Sequence, residues 1–120
     1  MTKASFKLYI GAISLLVFAH PLMASKIDIV NENKKELTVK INGEGTDAAD
    51  PYEKKIPGEH NSTLVISKKD LNNKTFYSIK GETSNFTPSG RCDYLNVDKN
   101  YKVTFLNDSI GTTCIAEEVK

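Results

Sequence analysis

The run Tyr101-Lys102-Val103-Thr104-Phe105-Leu106 sets Tyr101, Val103 and Phe105 against Lys102, Thr104 and Leu106 at every second position. Successive side chains of a β-strand point to opposite faces, so this period of two predicts a strand, whereas a helix would place its apolar residues three and four apart. Asn107-Asp108-Ser109 follows as a turn, and a last strand is expected over residues 111–117.

The same pattern recurs toward the N-terminus. Ile27 and Ile29 mark one segment and Leu37, Val39 and Ile41 the next; the polar stretch Asn31-Glu32-Asn33-Lys34-Lys35 lies between them. The two segments should form a hairpin or lie as sequential strands in facing sheets. Residues 52–56 end at the turn dipeptide Pro57-Gly58, and Leu64 and Ile66 mark a strand over 63–67. In residues 75–80, Tyr77 and Ile79 share one face and Phe76 and Ser78 take the other, with Gly81 as the expected end. A long Ser-, Thr-, Asn-, Pro- and Gly-containing loop is predicted over 82–90, then a short strand over 92–96.

Seven or eight short strands with regular turn signals, and no helical periodicity, predict an all-β fold. The expectation is a small antiparallel immunoglobulin-like β-sandwich, with a small β-barrel as the alternative. The succession Ile29-Val30-Asn31, Leu37-Thr38-Val39, Ile56-Pro57-Gly58-Glu59, Leu64-Val65-Ile66 and Tyr77-Ser78-Ile79 resembles small exported bacterial β-sandwich proteins. That resemblance consists of strand patterns and a turn, and it assigns no functional residue.

At the N-terminus, Lys3 and Lys7 precede an apolar run over 8–19 that ends at Pro21-Leu22-Met23-Ala24. Twelve residues fall short of the roughly twenty that span a bilayer, and a small residue at Ala24 suits a signal peptidase. Residues 1–24 are therefore expected to be a cleaved signal peptide and residues 25–120 a single domain that is periplasmic or extracellular. No cysteine lies near the start to accept a lipid, so no stable membrane anchor is expected. Export puts Cys92 and Cys114 in an oxidising compartment, where an even count favours a disulfide; it would close a 23-residue loop.

Without Lys3 and Lys7, 14 basic side chains stand against 15 acidic ones. Phosphate neutralisation needs a basic excess, so nucleic acid is not an expected partner. The doublets Lys34-Lys35, Lys54-Lys55 and Lys68-Lys69 read as solvated strand ends. Four Asn-x-Ser/Thr sequons, at Asn61, Asn73, Asn85 and Asn107, would accept glycans in a eukaryote and are incidental in a bacterium.

Catalytic spacing is absent. His60 is the one histidine beyond the leader, it follows Pro57-Gly58-Glu59, and no Gly-x-Ser-x-Gly elbow accompanies it. Glu44, Asp47 and Asp50 supply oxygen ligands three residues apart, without the alternating ligands and terminal Glu of an EF-hand, so a solvated acidic loop is expected and no metal or cofactor. The loop over 82–91 is the candidate recognition element, because Phe86 and Arg91 are of the residue types enriched at binding hot spots and Cys92 tethers its end. Phe86 has two readings, as an exposed anchor or as a cap tucked against the sandwich. Ser89-Gly90 resembles the Ser-Gly dipeptide of bacterial lysozyme inhibitors over those two residues. The leading expectation is a non-enzymatic binding or protein-interaction module whose partner is another protein or an extracellular ligand. The alternatives are an inhibitor of a secreted hydrolase, a small hydrolase using His60, and a module that pairs strands with another chain.

Overall fold

The computed structural model describes residues 24–45, 51–84 and 86–120. The expected leader, up to residue 23, and the Asp47 and Asp50 carboxylates lie outside the described residues. The strands are β1 (Ala24–Asn31), β2 (Leu37–Gly43), β3 (Tyr52–Ile56), β4 (Asn61–Ser67), β5 (Phe76–Glu82), β6 (Gly90–Asn96), β7 (Asn100–Asn107) and β8 (Thr112–Val119). They form two four-stranded sheets, ordered β4-β1-β7-β8 and β3-β2-β5-β6. This is a small β-sandwich sharing the two-layer architecture of immunoglobulin-like domains. Segments β1 and β2 fall in different sheets, so of the two expected arrangements the facing-sheet one is found.

Alternation in β1, β2, β5 and β7 supplies most of the core, whereas β3 contributes only Ile56. Ile27 and Ile29 from β1 and Val103 and Phe105 from β7 meet Leu37, Val39 and Ile41 from β2 and Tyr77 and Ile79 from β5, all fully buried or nearly so. The β1–β7 pair is parallel, with Ile27 beside Tyr101 and Ile29 beside Val103; the other strand pairs are antiparallel.

Three buried polar side chains, Tyr77, Ser25 and Asn31, have partners. The Tyr77 hydroxyl shares a 2.7 Å hydrogen bond with Ser25 Oγ, and burial holds its pKa well above the usual phenol range. Ser25 Oγ in turn donates to the Lys99 carbonyl. Asn31 Nδ2 donates to the carbonyls of Lys35, Ile56 and Pro57 at 2.9, 3.1 and 3.0 Å, tying the β1–β2 connection to the β3–β4 turn. Gly58 is required in that turn because a Cβ there would lie 2.0 Å from the Lys34 carbonyl oxygen.

Gly81 does not end its strand. It pairs with Val39 and Gly90, and a Cβ at this position would lie 2.6 Å from the Phe105 ring. The glycine makes room for the Phe105 ring, and β5 runs on to Glu82, which leaves residues 83–89 as the following loop.

The Cys92–Cys114 disulfide is present, with the two Cα atoms 5.7 Å apart. Cys92 lies on β6 and Cys114 on β8, each at the edge of its own sheet, so the bond staples the two sheets along one side. Such a bond points to an oxidising compartment. Among the described residues no helix is long and apolar enough to cross a membrane.

Candidate functional site

The disulfide brings together the loop over 83–89 and the β7–β8 turn over 108–111. Thr112 N donates to the Pro88 carbonyl at 2.9 Å, joining the two segments directly. Gly111 fits between them at φ +148°, where a Cβ would stand 2.8 Å from the Pro88 carbonyl oxygen.

Asp108 builds the turn. Its Oδ1 accepts from Ile110 N at 2.9 Å and Gly111 N at 3.1 Å, and its Oδ2 accepts from Thr113 Oγ1 at 2.6 Å. These bonds, the Thr113 hydroxyl first, hold the carboxyl below its ordinary pKa. A depressed folded pKa means that the carboxylate's contribution is complete at neutral pH and is lost as pH falls through the folded value. In the other segment Ser84 Oγ accepts from Phe86 N at 3.2 Å and lies 3.1 Å from Thr87 Oγ1.

Two large apolar side chains stand on this framework. Phe86 is 98 % exposed and Ile110 is 79 % exposed, and both line a shallow depression of about 350 Å³ that also takes in Pro88 and Asp108. The sequence left Phe86 between a cap and an exposed anchor; the ring is exposed. Ile110 was missed, although a lone branched apolar residue inside Asn107-Asp108-Ser109-Ile110-Gly111 is a visible signal.

Arg91 is not part of this tip. It occupies the second position of β6, opposite Lys80, where strand alternation turns it to the solvent face of the sheet. Its Nε donates to Asp93 Oδ1 at 2.6 Å, and it lines a separate depression. Phe86 and Arg91 are close in sequence, yet they are not brought to one cavity.

His60 is exposed in its turn, with Nδ1 donating to the Gly58 carbonyl at 2.7 Å, a bond local to the turn. Among the described residues no group of three or more His, Cys, Asp or Glu is placed to hold a metal ion. No known protein family matches the chain, and no curated protein matches its sequence.

Proposed function

We propose that the protein is an exported, non-enzymatic interaction module that docks a folded protein partner through Phe86 and Ile110. One observation carries this reading: two large apolar side chains stand almost fully in solvent on loops tied by a disulfide, a Pro88–Thr112 bond and the Asp108 turn. Exposing them costs solvation, and holding them on a braced scaffold lowers the ordering cost of association. A projecting phenyl ring needs a concave apolar receptor, and a secreted hydrolase with a substrate cleft is a partner of that shape. Export itself rests on the leader read from residues 1–24 and is supported by the disulfide.

The test uses Phe86→Ala and Ile110→Ala. A buried aromatic anchor is worth about 2 kcal/mol or more at an interface, so each variant should weaken the complex by roughly thirtyfold while its thermal midpoint stays within a degree or two of the parent. Full binding in both variants would reject the tip as the docking surface.

A further inference from the structure

We infer that the solvent face of β2, β5 and β6 is a binding site for an acidic saccharide, distinct from the loop tip. The strand register sets Lys40 beside Lys80 and Lys80 beside Arg91, three cations in one row across three neighbouring strands. Like charges placed directly opposite one another in a sheet are destabilising. The outer two are compensated, Lys40 by Glu82 at 3.5 Å and Arg91 by Asp93 at 2.6 Å. Lys80, between them, forms no ion pair among the described residues. The centre of the row is thus the place where a ligand's carboxylate or sulfate gains most.

Beside the row lies a depression of about 310 Å³, at the lower end of the range for small-molecule sites. Its lining adds hydroxyl-binding groups, with Ser78, Asn42 and Glu44 next to the three cations. Ser78 is only 9 % exposed, and its hydroxyl has no hydrogen-bond partner among the described residues. Asn42 Oδ1 is also buried without a partner. A buried amide oxygen with unmet hydrogen-bonding capacity, beside a nearly buried hydroxyl in a charged hollow, points to a polar ligand rather than to an apolar one.

The rim supplies the third element. Pairing steps from Tyr77–Leu95 to Ile79–Cys92, so Ser78 stands opposite two residues, Asp93 and Tyr94, in a β-bulge. Tyr94 sits there at φ 60°, in the left-handed region that a bulky L-residue rarely adopts, and its ring is 77 % exposed. Its backbone N–H lies 3.4 Å from Oε1 of Glu44, a residue that lines the hollow, so the Tyr94 backbone adjoins the hollow while its side chain stands outside the lining. An exposed ring, a row of cations and a floor of hydroxyl and amide groups match the apolar face, the acid group and the hydroxyls of a uronate or a sulfated pyranose.

The experiment titrates the full protein with tetragalacturonate and, separately, with a chondroitin sulfate tetrasaccharide; inorganic sulfate is the competitor. Saturable binding of either saccharide is expected, the responding one deciding between carboxylate and sulfate. Lys80→Gln should weaken it by about tenfold or more, the scale of one charge-assisted hydrogen bond. Tyr94→Gly should weaken it comparably while raising the thermal midpoint, since glycine relieves the left-handed backbone. Inorganic sulfate should compete only weakly. Failure of both saccharides to bind at millimolar concentration, or unchanged binding in Lys80→Gln, would overturn the proposal. So would unchanged binding in Tyr94→Gly or displacement by sulfate at equal concentration, which would leave a simple anion site.

Discussion

Phe105→Ala is expected to lower the unfolding free energy by about 3–5 kcal/mol, the range for deleting a buried aromatic ring. Phe105 is fully buried on β7, and its ring lies against the space that Gly81 leaves open on the facing sheet. Because a backbone glycine cannot extend to fill the gap, the cavity should persist and the cost should fall toward the upper end. In a domain whose whole stability is of the order of 5–15 kcal/mol, this is a large fraction. Urea unfolding should show a lower midpoint with an unchanged slope; a shift below 1 kcal/mol would contradict the packing described.

Replacing both Cys92 and Cys114 by alanine should cost about 3 kcal/mol, as the chain-entropy account gives for a loop of this length. The loss should also have a local signature. The disulfide joins β6 and β8 at the sheet edges, next to the contact in which Thr112 N donates to the Pro88 carbonyl. Hydrogen exchange at the Thr112 amide should therefore accelerate beyond the global change, whereas the Ile41 amide, on a strand hydrogen-bonded on both sides, should follow global unfolding. Equal acceleration at both would show that the staple contributes nothing particular to the tip.

The strand content was legible because burial follows period two so closely: Tyr101, Val103 and Phe105 are core residues, as are Leu37, Val39 and Ile41. Which strands pair was not legible. The parallel β1–β7 contact joins segments about seventy residues apart, and nothing in the alternation of either names its neighbour. Glycine's local signal is a break, so the sequence predicts a strand end at Gly81, while its role here, clearance for Phe105, is set by a residue on the other sheet. Cysteine pairing followed from an even count of two.

The candidate site was half legible. Phe86 stood out by its loop, but joining it to Arg91 confused nearness in sequence with nearness in space. One residue beyond Gly90 the chain is already in β6, and alternation sends Arg91 to the sheet's solvent face. The cationic row is invisible in the sequence, since Lys40, Lys80 and Arg91 come together through register alone. The bulge at Tyr94 depends on a mismatch of one residue between β5 and β6, which no local pattern reveals.

Docking of a protein partner by Phe86 and Ile110 is tested by placing a photo-crosslinking amino acid at position 86, at position 110 and, as a control for general stickiness, at Val65, which is 62 % exposed on the edge strand β4. Irradiation in the compartment where the protein resides should give the same discrete adduct from positions 86 and 110 and none from position 65. Equal adduct from position 65, or no adduct from position 86, would contradict the account.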